Sequence, residues 1–68
     1  MEEMWLARDR YNGLFLYIGA APIRRDNNND FWYFDQLKTK SVQLPDILFP
    51  EVQWSDDEPT KVKLIIDK

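Results

Sequence analysis

The sequence predicts a small all-β domain over residues 1–68, built as one antiparallel sheet or partly open barrel of about five strands, with at most one short helical turn. Three observations predict it. Short apolar segments alternate with turn residues, and no long stretch has a helical period. Three Trp, three Tyr and four Phe provide a core for only 68 residues. Because Cys and His are absent, aromatic packing or pairing with a second copy must stabilise the chain in place of disulfides or zinc.

The first two strands are predicted as a hairpin. Residues Met4 to Arg8 form the first strand, and Leu14 to Ile18 form the return strand. The Asn12-Gly13 pair between them is the strongest short hairpin signal, because both residues tolerate a positive φ. The return strand is apolar on both faces, which predicts a central strand that is covered on both sides.

An aromatic strand is predicted after a polar loop. Residues 23–30 contain three successive asparagines and are interpreted as a loop. Phe31 to Phe34 follow as the third strand, with Phe31 and Tyr33 on one face and Trp32 and Phe34 on the other. One face must belong to the core. The other is either core as well or an exposed platform for bases or methylated ammonium groups.

The remaining elements are short. Residues 38–40 are predicted as a turn, 41–44 as a fourth strand, 45–48 as one helical turn, and 52–54 as extended chain. A final strand is predicted from the alternation of Val62, Leu64 and Ile66 with Lys61 and Lys63. The two lysines are interpreted as charge protection of a sheet edge.

The charge pattern limits the classes of partner that we expect. The formal net charge is −3, and residues 46–58 carry five acids and no base. Domains that bind duplex nucleic acid usually have a basic excess, so nucleic acid is not expected as the default partner. No segment is apolar and long enough to span a bilayer, and the acidic start at Met1 does not resemble a secretory signal. These features predict a cytoplasmic protein with no membrane association.

Catalytic and metal sites are not expected. Without His, a Ser-His-Asp triad cannot form, and the acids of residues 51–58 are too close in sequence for paired carboxyl chemistry. Asp26 begins a run that resembles a calcium loop, but Phe31 occupies the position that needs Gly and Leu37 the position that needs Glu. We therefore expect no catalytic, cofactor or metal-binding residue, and no enzyme. The pairs Arg8-Arg10 and Arg24-Arg25, each beside an aspartate, are interpreted as weak surface ion pairs.

The chain lacks reactive groups, but it has many aromatic residues and an acidic segment at residues 46–58. These features favour a small interaction protein that binds another protein. The alternative is single-stranded nucleic-acid binding through an aromatic face. The residues that we expect at a partner interface are Trp32, Trp54, Asp56, Asp57 and Glu58.

Two stretches carry a family resemblance. The first is Trp5-Leu6-Ala7-Arg8-Asp9 followed by Asn12-Gly13-Leu14, and the second runs from Leu44-Pro45 through Leu48-Phe49-Pro50-Glu51-Val52-Gln53-Trp54 to Asp57-Glu58-Pro59. Together they resemble a family of very small uncharacterised proteins of gut bacteria and their prophages, with a W-x-A-R-D…G-x-L opening and an L-F-P-E-V-x-W…E-P close. The resemblance implies a bacterial or prophage origin and a cytoplasmic location, and it brings no activity with it.

Overall fold

The computed structural model describes residues 3–25, 28–56, 58–63 and 65. Within these residues the chain is all-β, as predicted, and contains no helix. The described elements are β1 (Met4–Arg8), β2 (Leu14–Gly19), β3 (Ile23–Arg25), β4 (Asn28–Tyr33), β5 (Thr39–Leu44) and β6 (Thr60–Val62).

A four-stranded antiparallel sheet forms the centre of the molecule, in the order β5-β2-β1-β6. The hairpin of β1 and β2 is confirmed, with Met4 opposite Ile18 and Arg8 opposite Leu14. Strand β2 lies between β1 and β5, which confirms its predicted central position. The sheet does not close into a barrel.

The two faces of this sheet carry different side chains. On the first, which we call the groove face, Leu6, Leu14 and Val52 are buried and Leu16, Leu44 and Val62 pack against them. On the second, the aromatic face, Ala7, Tyr17 and Trp32 are buried and Trp5, Phe15, Phe34 and Trp54 pack against them. The apolar residues on both faces of β2 are explained by these two clusters.

A second, two-stranded sheet formed by β3 and β4 corrects the loop that we predicted over residues 23–30. Residues 23–25 and 28–30 lie in strands, while residues 26 and 27 are outside the described part. Asn has a low β-propensity, but Trp32 in the same strand is buried in the aromatic face. The N–H of Arg10 also donates to the carbonyl of Asp30, at 3.0 Å, so tertiary contacts outweigh local preference here.

The hairpin turn between β1 and β2 is longer than a two-residue turn. The N–H of Asp9 donates to the carbonyl of Gly13 at 2.9 Å, and Asn12 has the left-handed φ of 71°. The Asp9 carboxylate accepts bonds from the N–H groups of Tyr11 and Gly13, both at 2.8 Å. An added Cβ on Gly13 would lie 2.6 Å from this carboxylate, which would have to move, so glycine is favoured here by a close approach rather than by its φ.

The later elements differ from the prediction at their bounds. Strand β5 begins at Thr39, within the segment that we assigned to a turn. The predicted helical turn is instead a single turn in which the Leu48 N–H donates to the Pro45 carbonyl at 3.1 Å. Strand β6 is a three-residue edge strand; Leu64 and Ile66, which we predicted in the same strand, are outside the described residues.

Candidate functional site

The Arg8 side chain connects the first hairpin to the segment 45–54, which we call the corner loop. Arg8 is only 5% exposed, although we interpreted it as part of a surface ion pair; this interpretation is wrong. Its hydrogen-bond acceptors are neutral, and most are backbone carbonyls: Val52 O at 2.7 Å, Leu48 O at 2.8 Å, Asp46 O and Asn12 O at 3.0 Å, and Phe49 O and Asn12 Oδ1 at 3.2 Å. One guanidinium therefore fixes the path of the corner loop across the end of the sheet.

The corner loop and the groove face together form an apolar cavity of about 380 Å³, which we call the sheet groove. The described residues that line it are Met4, Leu6, Leu16, Leu44, Phe49, Val62 and Lys63. Lys63 is the only charged residue among them. The volume lies within the range of ligand-sized sites, about 300–1,000 Å³.

The register of the sheet places these side chains. Leu6 is opposite Leu16 and Met4 is opposite Val62, so four apolar residues from three strands share one face. The corner loop contributes Phe49, which has a positive φ of 50° and is 42% exposed. Because the loop is bonded to Arg8, the Phe49 ring has a defined position relative to the aliphatic side chains of the sheet.

The charges beside the groove are basic in a chain that is acidic overall. Lys63 lines the groove, and Lys40 lies on the same face because it is opposite Ile18. Lys61 lies on the other face, where its Nζ is 3.0 Å from a Glu3 carboxylate oxygen and 5.6 Å from the centre of the Trp5 ring. Among the described residues that line the groove, none carries a carboxylate. This surface therefore favours an anionic, apolar occupant.

The predicted interface residue Trp32 lies in the core. It is 6% exposed, and its Nε1–H donates to the Arg8 carbonyl at 3.0 Å. A buried ring cannot contact a partner directly, so we remove Trp32 from the candidate interface. Its neighbour Phe31 is 47% exposed, so the structure resolves the open alternative for this aromatic strand: one face is core and Phe31 lies at the surface.

Trp54 is half-buried and covered by internal contacts. Its ring meets Trp32 edge-on, at 82° and with 6.4 Å between ring centres. The Arg24 guanidinium carbon lies 3.7 Å from the centre of the Trp54 ring, and Arg24 also donates to the Trp54 carbonyl. Arg24, like Arg8, is not a simple surface ion pair. These cation–π and edge contacts assign Trp54 mainly to the packing between the corner loop and β3.

The acidic segment is only partly described. Asp56 is half-buried as a residue, and its carboxylate accepts the Gln53 N–H at 3.0 Å, as in a local turn. Glu58 is exposed, and Asp57 is outside the described residues. Of the described acids at positions 56–58, Glu58 alone is thus exposed.

A second cavity, of about 540 Å³, lies beside the corner loop and the hairpin turn. Arg8 and Asp9 line it, but both already bond to the protein, and the remaining charges, Arg10 and Asp46, have opposite signs. The described residues contain no group of three or more acidic side chains that could hold a metal ion. The same residues include no helix able to cross a membrane.

An exposed aromatic pair lies at the hairpin turn. The rings of Tyr11 and Phe31 have centres 5.7 Å apart and are tilted by 45°, and Tyr11 is 68% exposed. Arg10, beside them, forms an exposed ion pair with Asp30 at 3.4 Å. Sequence reasoning placed Phe31 in an aromatic strand but did not join it to Tyr11, because their proximity depends on β4 crossing the turn.

The groove residues were also missed as a site. The sequence signal for them, alternating apolar residues in β1 and β2, is the same whether a face is covered or open. Comparisons of the chain with protein-family models, with curated proteins and with solved structures found no match. The resemblance to the small bacterial and prophage proteins therefore stays an expectation, although the structure shows that Arg8 joins the two stretches that carry it.

Proposed function

We propose that this chain is a non-enzymatic interaction module whose sheet groove receives an apolar segment of a partner protein, with carboxylates of that segment beside Lys63 and Lys40. The observation that carries the proposal is the lining of the groove: six apolar side chains and one lysine. A bacterial or prophage accessory protein, as the resemblance implies, would suit such a role.

The driving force would be apolar burial. Burying apolar surface contributes about 25 cal/mol for each Å² that is removed from water. Aliphatic side chains of a partner would become buried themselves and would also bury the exposed surface of Leu16 and Val62. The lysines would add orientation and speed of encounter more than affinity. Since Lys63 is at the surface, its contribution should weaken as salt shortens the screening length to about 8 Å at physiological ionic strength.

The groove is a better candidate than the acidic segment that we expected from the sequence. Trp32 is core, Trp54 is stacked on Arg24, and the Asp56 carboxylate is bonded within its own turn. The groove instead combines concave shape, apolar lining and one sign of charge.

The test is a titration of isotope-labelled protein with two designed helical peptides, followed by NMR. Both peptides carry a leucine stripe; one has glutamates beside the stripe and the other has lysines. We expect the glutamate peptide to shift resonances of Met4, Leu16, Leu44 and Val62, and to bind at least about tenfold more tightly than the lysine peptide, a difference of about 1.4 kcal/mol.

A charge-reversal pair makes the result specific. Lys63→Glu should invert the preference between the two peptides. Lys61→Glu makes the same change of charge two residues away on the opposite face, and should leave the preference unchanged. Equal effects of both variants, or shifts confined to the hairpin turn or the aromatic face, would reject the groove as the binding surface.

A second candidate function rests on the exposed Tyr11–Phe31 pair, which could stack bases of single-stranded nucleic acid at about 1–3 kcal/mol for each base. A labelled oligothymidine would serve as the probe. Tyr11→Ala should then weaken binding about tenfold or more. Leu37→Ala, at a position that is 97% exposed and outside the pair, should not. No binding at low salt would reject this alternative.

A further inference from the structure

Strand β5 presents a long and regular sheet edge. It pairs with β2 through all six residues, from Thr39 opposite Gly19 to Leu44 opposite Leu14, without a register shift. Within the described residues no strand pairs with its other side. Its outer N–H and C=O groups therefore face away from the sheet along the length of an average strand.

The usual protections of an edge are weak in β5. It has no bulge and no internal proline, since Pro45 comes only after its last residue, and Lys40 is its only charged residue. The opposite edge, β6, is only three residues long and has Lys61 at its centre. Val42, in the middle of β5, is 46% exposed. Of the two edges, β5 is the one suited to adding a strand.

We propose that β5 pairs antiparallel with β5 of a second copy of this chain, about a twofold axis that passes beside Val42. Side chains that are directly opposite in an antiparallel pair lie on the same face, so a twofold axis normal to the sheet must bring a residue opposite its own counterpart. With Val42 at the axis, Ser41 lies opposite Gln43 of the second copy and Lys40 lies opposite Leu44 of the second copy.

This register is self-complementary. Val42 covers Val42 of the second copy, a β-branched pair that favours cross-strand packing. The polar Ser41 and Gln43 meet on the other face, and Lys40 does not meet its own counterpart. The two four-stranded sheets would become one eight-stranded sheet, with both sheet grooves on the same side. The inference does not depend on what binds in those grooves.

The expected dimer is weak. One strand pair buries less than the roughly 1,000 Å² that stable interfaces exceed, so we expect association in the range from about 10 μM to about 1 mM. Sedimentation equilibrium should show the mean mass rising from 8.2 kDa toward twice that value over this range.

Single-cysteine variants test the register, because the chain has no cysteine of its own. Val42→Cys should form a symmetric disulfide under mild oxidation, since directly opposite Cβ atoms lie near the spacing that a disulfide needs. Leu37→Cys lies just before the strand at a more exposed position, 97% against 46% for Val42, and should still cross-link at least about tenfold more slowly, at the rate of chance collisions.

Two substitutions test the energetics. Val42→Lys places like charges at the axis and should abolish the concentration dependence of the mass, whereas Val42→Thr keeps a β-branched side chain and should preserve it. Near-ultraviolet circular dichroism of the tryptophans reports that both variants fold. A chain that stays monomeric at about 1 mM, an undiminished dimer in Val42→Lys, or equal cross-linking rates of the two cysteine variants would overturn the proposal.

Discussion

The Nε–H of Arg8 donates to the carbonyl oxygen of Val52 at 2.7 Å, across 44 residues of chain. The same guanidinium also donates to the backbone carbonyls of Asp46, Leu48 and Phe49. Together these bonds hold the corner loop against the end of β1. Because Val52 covers Leu6 and Leu14, the same guanidinium indirectly closes one end of the groove face. The buried Arg8 guanidinium thus holds the loop that covers one end of the apolar groove face.

Arg8→Lys should destabilise the protein strongly. Lysine has three donors on one nitrogen and cannot reproduce the fork that reaches carbonyls on both sides of the loop. Hydrogen bonds from charged groups are worth about 1.5–3 kcal/mol, so we expect a loss of at least about 2 kcal/mol in the free energy of unfolding. Urea titration followed by tryptophan fluorescence measures it.

The control for Arg8 is Arg10→Lys, two residues along the chain. The Arg10 side chain is 58% exposed and its ion pair with Asp30 is 3.4 Å long, so a change below about 0.5 kcal/mol is expected. If both substitutions cost the same, Arg8 does not hold the corner loop in solution.

Trp32→Phe should cost about 1–2 kcal/mol in unfolding free energy. The substitution keeps an aromatic ring in the core but removes the Nε1–H that bonds to the Arg8 carbonyl, leaving that buried acceptor without its donor. Trp5→Phe removes a longer bond, 3.2 Å, from a half-buried ring to Gly19 and should cost less. Parallel urea titrations compare the two, and the reverse order would contradict the assignment of Trp32 to the core.

Much of the central sheet was predictable because local chemistry determines it. The bounds of β1 from Met4 to Arg8 follow from apolar residues ended by a turn, and Asn12 adopts the positive φ that the Asn-Gly signal implies. The central place of β2 follows from its two apolar faces. These signals lie within about 15 residues of each other and need no knowledge of distant contacts.

The candidate site was not predictable by the same reasoning. The acceptors of Arg8 in the corner loop are backbone carbonyls 38 to 44 residues away. Because every residue has a backbone carbonyl, the sequence does not indicate which of them will accept a bond from Arg8. A strand through Asn28 contradicts local propensity and depends on Trp32 being buried. The groove is open because the other described residues leave it uncovered, which no single segment of sequence reveals.

Gly19→Ala should prevent stable folding. Gly19 ends β2 with a φ of 125°, and an added Cβ would lie 2.2 Å from the backbone oxygen of Lys38. The backbone there cannot yield without separating β2 from the start of β5, so we expect a cost above about 3 kcal/mol, close to the whole stability of a domain of this size. Gly13→Ala should cost less, because its added Cβ meets the movable Asp9 carboxylate. Thermal unfolding of the two variants checks the order; a well-folded Gly19→Ala protein would refute the strand end described here.

Tyr17 should make stability fall at high pH. Burial in the aromatic face, together with the negative charge of Asp9, raises the pKa of its hydroxyl from 10.0 to about 12. The unfolded chain loses this proton from about pH 10 upward while the folded chain retains it, so the contribution is complete below pH 10 and is lost between pH 10 and about 12. The slope for one proton is about 1.4 kcal/mol for each pH unit.

Other groups titrate in the same range, so the measurement is the difference between the unfolding free energies of wild type and Tyr17→Phe from pH 8 to pH 11.5. That difference should change above pH 10, in the direction of a smaller stability for the wild type. A pH-independent difference for Tyr17→Phe would mean that the hydroxyl is not buried beside Asp9 in the folded protein.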